Sequence, residues 1–206
     1  MRIEDLKSAQ LDGIKEIANI GSGHAATALS EMLKSTVMAS VPEVKILPLE
    51  DVGSVVGGDE MVITSVVVDF GGDFTGRSIL VFPYEESMAL ADLFLPPVPE
   101  GGERKFGSME ESFFKEIGNI VICSYLSALG DFLGLIVFPS VPSLVVDSAT
   151  AVLTSAYMDF FSHRDIIFCV ESKFSFVEKD KVLRAYLLLL PEAESLRVML
   201  KILGLE

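Results

Sequence analysis

Two residue pairs in this chain have types and spacing that could do chemistry: Glu16 with Asn19, and Glu116 with Asn119. In each, a carboxylate and a carboxamide stand three positions apart, which on a helix puts them on one face. An Asn amide is no general base near neutral pH, but its carbonyl accepts a hydrogen bond from water and can aim that water. The carboxylate stands one helical turn away on the same face. A single Glu-x-x-Asn would be no more than a solvated helix face. This one occurs twice, at the same point of a repeat.

Lys15-Glu16-Ile17-Ala18-Asn19-Ile20 returns 100 positions later as Lys115-Glu116-Ile117-Gly118-Asn119-Ile120, and Ser40-Val41-Pro42 returns as Ser140-Val141-Pro142. Between 11–42 and 111–142, 12 of 32 ungapped positions are identical, which marks a duplication. Each copy opens with a long helix. In the first, Ile14, Ile17, Ala18, Gly21, Ala25, Ala28, Leu29 and Met32 form a broad apolar stripe facing a core. Asp12, Glu16 and Asn19 fall within about 60° of one another on the opposite side. Gly23, Ala26, Thr27 and Ser30 extend that side as a row of small residues. In the second copy Ser112, Glu116, Asn119, Cys123, Ser127 and Gly130 occupy the equivalent face, with Leu126 its one large member. Ser8 is placed to cap the first helix, and Ser108 with Glu111 has capping-box spacing for the second. Exposed residues drift fastest after duplication, so a pair that survives beside altered core residues points to a shared task.

The elements that must position these helices read more loosely. Met61–Phe70 and Phe74–Phe82 have strand patterns around a Gly71-Gly72-Asp73 turn, and Tyr84–Leu95 has a short-helix pattern. Ile166–Phe176 and Val182–Leu190 repeat the strand pair, and a last helix follows Pro191 to about Leu203. The expected fold is α+β: one pseudo-two-fold domain, each half a long helix, antiparallel strands and a short helix. The pseudo-repeats span about 8–95 and 108–204. Segment 96–108, with three Pro and three Gly, joins them as a seam.

Composition limits what such a domain can bind. With 16 basic and 30 acidic residues the chain carries a formal charge of −14 and repels nucleic acid and anionic membrane, favouring a partner with a positive patch. The apolar run Ala185–Leu190 is far short of the ~20 residues of a membrane helix. No secretory leader is read in the opening residues. The two cysteines, Cys123 and Cys169, lack metal-ligand spacing and suit a reducing cytoplasm.

Other candidate chemistries are weaker. Gly21-Ser22-Gly23-His24-Ala25-Ala26 fits the loose dinucleotide pattern G-x-G-x-x-A, but that loop needs a strand immediately before it. These glycines lie inside a helical pattern, and the second copy has none there. They fit close helix packing and close approach by a partner. His24 and His163 have no ligand-spaced companions, so no metal site is expected. Cys123 has no activating His implied nearby, and its counterpart is Gly23. Pro42 and Pro142 read as structural, each ending a connection before a strand.

Asp12…Glu16…Asn19…Pro42 and Ser112…Glu116…Asn119…Pro142 both match Asp/Ser-x3-Glu-x2-Asn-x22-Pro at every defined position. This doubled pattern resembles that of the CheC, CheX and FliY phosphatases of chemotaxis, and two intact copies in 206 residues resemble the CheC type most. The resemblance implies hydrolysis of the aspartyl phosphate on the response regulator CheY. Asn19 and Asn119 would then position the attacking water, and Glu16 and Glu116 would dock to the regulator's active-site lysine. Asp12 and Ser112 would help docking or stabilise the helix. It implies no cofactor of the protein's own, with Mg²⁺ supplied in the CheY site. CheY is the expected partner and CheD, a receptor deamidase, a second candidate, in a cytoplasmic monomer or heterocomplex. The alternative it leaves open is a non-catalytic binding module for phosphorylated CheY, or a regulator of CheD.

Overall fold

The computed structural model describes residues 8–99, 102–158 and 167–202. Helix α1 (Ser8–Leu33) is followed by strands β1 (Val37–Ala39) and β2 (Glu43–Leu47), helix α2 (Leu49–Val55), strands β3 (Val62–Gly72) and β4 (Gly76–Pro83), and helix α3 (Tyr84–Phe94). The second half repeats this order as α4 (Ser108–Leu133), β5 (Val137–Pro139), β6 (Ser143–Ser148), α5 (Ala149–Met158), β7 (Ile167–Phe176), β8 (Lys181–Pro191) and α6 (Ala193–Ile202). The α+β duplication holds, and each half has a second short helix between its strand pairs. Helix α1 begins at Ser8, and the side chain expected to cap it, like Ile166 and Leu203, lies outside the described residues.

All eight strands form one sheet in the order β1-β7-β8-β4-β3-β5, with β2 also on β7 and β6 also on β3, and every pairing is antiparallel. The halves are exchanged at the edges. Val37 of the first half pairs with Phe176 of the second, and Val137 of the second pairs with Gly72 of the first. The pseudo-two-fold runs between β4 and β8, where Leu80 faces Leu187. Neither half completes its own sheet, so the two form one domain.

The long strands carry apolar residues on both faces because both faces of the sheet are covered. On one side, α1 and α4 pack against Val66, Val68, Leu80, Phe82, Phe168, Val170, Phe174 and Leu187. On the other, Val52 and Val56 beside α5's Val152 and Leu153 cover Ile63, Ile79, Val81, Ile167, Leu188 and Leu190. Successive strand residues alternate between these cores. Helix α4 is long and apolar enough to cross a membrane by length and composition, yet 56% of that stretch is buried inside the protein. Its apolarity serves the core.

The two long helices approach closely where Gly21 meets Tyr125: a Cβ at Gly21 would lie 2.7 Å from the Tyr125 ring. Close helix packing, expected of these glycines, therefore applies to Gly21. Gly23 instead faces open space. Both helices end through a left-handed residue, Gly134 at φ 67° and Lys34 at φ 48°. The second copy uses the residue that adopts this backbone without strain.

Three details differ from the sequence reading. Helix α4 is capped by Gly107, whose N–H donates to the Glu110 carboxylate at 3.0 Å, and not by Ser108 with Glu111. The reason lies outside the helix. Arg104 binds Glu110 at 2.7 Å, Asp92 at 2.6 Å and the Pro96 carbonyl at 2.7 Å, which fixes Glu110 over the helix start. Arg104 also pins the described part of segment 96–108 between α3 and α4. Strand β3 runs through Gly72, so the turn is Asp73–Thr75 and not Gly71-Gly72-Asp73. Pro191 ends β8, and α6 begins at Ala193.

Each edge strand is held by an acid from the turn it crosses. The Glu178 carboxylate accepts from the Ser35 hydroxyl at 2.7 Å and from the Thr36 hydroxyl and N–H at 2.5 and 2.8 Å. In the other half, Asp73 accepts from the Ile136 N–H at 3.0 Å and donates its own N–H to the Ile136 carbonyl at 2.9 Å. The hydrogen bonds from Thr36, then Ser35, hold the Glu178 carboxyl down to about 2 from its ordinary 4.5. A depressed carboxyl contributes stability above its unfolded value and loses it as pH falls toward the folded value. Glu178→Gln should therefore lower Tm at pH 7, and the gap from wild type should close between about pH 4.5 and about pH 2. Thermal melts across that range check the sign; a gap that widens in acid would assign the stabilisation elsewhere.

Candidate active site

The face expected to carry chemistry is open where the two pairs sit. Glu16 and Asn19 are exposed on α1; Glu116 is exposed and Asn119 half-buried on α4. Among the described residues, neither Glu16, Asn19 nor Glu116 has a side-chain hydrogen bond or ion pair. Polar groups left uncommitted in the free protein keep their full hydrogen-bonding capacity for a partner. Asp12 is exposed and lies 3.8 Å from Lys15, a surface pair of little energetic consequence. Ser112 is exposed one turn before Glu116, and Lys115 binds Glu111 at 2.6 Å.

Further along the helices the open face ends sooner than periodicity alone implies. Ala26 and Leu126 are 7% and 3% exposed, so both belong to the core and not to the small-residue row. Ser30 is half-buried, bonded to the Ala26 and Val37 carbonyls and accepting from the Val37 N–H. Gly130 lies under the Leu135 carbonyl. The cause is tertiary: β1 and β5 fold back over Ser30 and Gly130 at the ends of α1 and α4, while Leu126 sits among Ile14 and Ile17 of α1 and Phe168 and Val170 of β7. What stays open is Asp12, Glu16, Asn19, Gly23 and Thr27 on α1, and Ser112, Glu116 and Ser127 on α4, with Asn119 and Cys123 partly covered.

Pro42 and Pro142 stand immediately before β2 and β6, as expected. Beside them, Ser140 ties the connection to β3, its hydroxyl accepting from the Asp69 N–H at 3.0 Å and its N–H donating to the Asp69 carbonyl at 2.7 Å. The Ser140 bonds fix the return of the edge strand in the second copy. The glycine-rich pattern lies wholly within α1 and is directly preceded by helix, which excludes a dinucleotide loop.

The cysteines differ. Cys169 is fully buried in the sheet, and burial pushes its thiol up to about 12, so it is inert. Cys123 lies next to Asn119, and its thiol donates to the amide Oδ1 at 3.4 Å. The i, i+4 spacing of Asn119 and Cys123 is the sequence signal that marks this contact. His24 is exposed on α1 and His163 lies outside the described residues. Among the described residues, no three His, Cys, Asp or Glu side chains converge as metal ligands do.

Known proteins match both the sequence and the shape. A profile of the CheC-like family matches residues 10–46 and 109–146, the two segments that carry the Glu/Asn pairs. The chain is 28% identical over 200 residues to the CheY-P phosphatase CheC of Bacillus subtilis, covering 97% of this chain and 96% of that protein. Its fold superposes on FliY of Thermotoga maritima with a TM-score of 0.76 at 22% identity, covering 97% and 98% of the two chains. The FliM middle domain from H. pylori superposes with a TM-score of 0.69 at 11% identity, over 96% and 99%. At such identities the structural likenesses speak to the fold alone, and a shared fold does not select a chemistry. The doubled profile match and the near full-length relative go further: in sequence, the chain is similar to the CheC-like family over both segments that carry the Glu/Asn pairs.

Proposed function

We propose that this protein hydrolyses the aspartyl phosphate of a CheY-type response regulator. The observation that carries this reading is the pair of Glu/Asn faces displayed at equivalent places on two long helices, with Glu16, Asn19 and Glu116 uncommitted and Asn119 holding only a weak contact from the Cys123 thiol. An acyl phosphate is already activated, so its hydrolysis needs no strong nucleophile from the catalyst. It needs a water held in line with phosphorus. Asn19 and Asn119 supply the carbonyl that aims that water, and Glu16 and Glu116 supply the charge that pairs with the regulator's active-site lysine. Positioning of this kind is worth several kcal/mol, about a few powers of ten in rate. The rigid α1–α4 layer favours the same reading, because a side chain on a packed helix is aimed more narrowly than one on a loop.

The direct test is the decay of phosphorylated CheY with and without the protein. Added in catalytic amount, it should speed decay over many turnovers. Stoichiometric binding without faster decay would make it a module that sequesters the regulator or acts through a deamidase such as CheD. Mg²⁺ should enter through the regulator. Chelation should then abolish the accelerated decay, while calorimetry of the isolated protein with MgCl₂ should show no stoichiometric site. A tight site on this chain would refute that assignment.

A further inference from the structure

The thiol–amide contact on α4 has no counterpart on α1. Cys123 stands one turn beyond Asn119, and its S–H meets the amide oxygen at 3.4 Å. Hydroxyls on the two long helices behave otherwise. Thr27, Ser30 and Ser124 each bond the main-chain carbonyl four residues back, those of Gly23, Ala26 and Ile120. The Cys123 thiol binds a side chain. Burial and then the Glu116 carboxylate raise its pKa above the ordinary 9.0, so it stays protonated and remains a donor at neutral pH. In the first copy the equivalent residue is Gly23, where a Cβ would meet nothing within 4 Å, and the Asn19 amide has no side-chain partner among the described residues.

We propose that Cys123 is a positioning residue for the second site, fixing which way the Asn119 carboxamide faces. The two sites then share a chemistry and differ in how far the amide is preorganised. The statement rests on the phosphatase reading above. A free carboxamide turns about a broad, nearly two-fold torsion and presents its NH₂ as readily as its oxygen. A donor on Oδ1 removes that freedom. The oxygen has two lone pairs, so holding one leaves the other for the attacking water. An S–H···O bond is weak, and the expected gain is about two- to five-fold in rate at that site.

Asn19→Ala isolates the second site, and Asn119→Ala the first. In the Asn19→Ala background, Cys123→Ala should lower kcat about two- to five-fold and leave KM for phosphorylated CheY unchanged. In the Asn119→Ala background, Gly23→Cys should raise kcat by a similar factor, since the site has room for the side chain. A purely structural cysteine would produce neither split. A second readout is independent of activity: in ¹⁵N spectra, Cys123→Ala should move the side-chain NH₂ resonances of Asn119 and leave those of Asn19 in place. Unmoved Asn119 resonances, or an unchanged kcat in Asn19→Ala/Cys123→Ala, overturn the proposal. Moved resonances together with no hydrolysis by wild type would instead refute the phosphatase reading while upholding the orienting contact.

Discussion

Replacing both Asn19 and Asn119 by Ala is expected to remove nearly all acceleration of CheY-P decay, while either single substitution leaves part of it. The expectation follows from the duplication: each helix carries a complete Glu/Asn pair, and the pairs sit on different helices with separate open faces. If aiming the water is worth several kcal/mol, the double variant should fall by about a few powers of ten. The substitutions should cost under about 0.5 kcal/mol of stability, because Asn19 is exposed and Asn119 gives up only a weak contact with Cys123. Steady-state hydrolysis by the three variants, with circular dichroism as folding control, decides it. A single variant as inactive as the double would mean that the other site is vestigial. Full activity in the double variant would remove Asn from the mechanism and favour the binding-module reading.

The second large effect concerns docking. Lys at both 16 and 116 should collapse activity, because each introduced ammonium would face the regulator's active-site lysine where a carboxylate was meant to pair with it. Like charges brought together in a desolvated interface cost several kcal/mol, on the order of a thousand-fold in kcat/KM. In the free protein both positions are exposed, so the fold should be unaffected. Raising ionic strength should restore a fraction of the lost rate through screening, chiefly in association. A folded Glu16→Lys/Glu116→Lys variant with wild-type kcat/KM would show that these carboxylates do not meet a cation.

How much was legible in the sequence depended on how local each cause is. The long helices were legible because a 3.6-residue stripe of Ile14, Ile17, Ala18, Ala25 and Leu29 faces a single core. The long strands were legible from apolar runs that bury both faces. The three-residue strands β1 and β5 were not, since each exists only by pairing with the opposite half of the chain. Ala26 and Leu126 show the same limit: their helix angle puts them beside Asn19 and Asn119, yet both are buried, Leu126 among Ile14 and Ile17 of α1 and Phe168 and Val170 of β7. The capping acid was misplaced by one residue for a similar reason, because Arg104 selects Glu110 from outside the helix.

By itself, the sequence determined the duplication, the α+β class, the helix face on which each Glu and Asn lies, and the doubled pattern that resembles the CheC-like one. Periodicity and internal repetition are properties of neighbouring residues, and they survive in one dimension. Only the tertiary structure decided where that face stops, that the halves exchange edge strands, and that Asn119 is tied to a thiol while Asn19 is free of one. Those outcomes depend on contacts between residues far apart in the chain, or on which of several neighbours a side chain turns toward. Geometry, and not spacing, settles that choice.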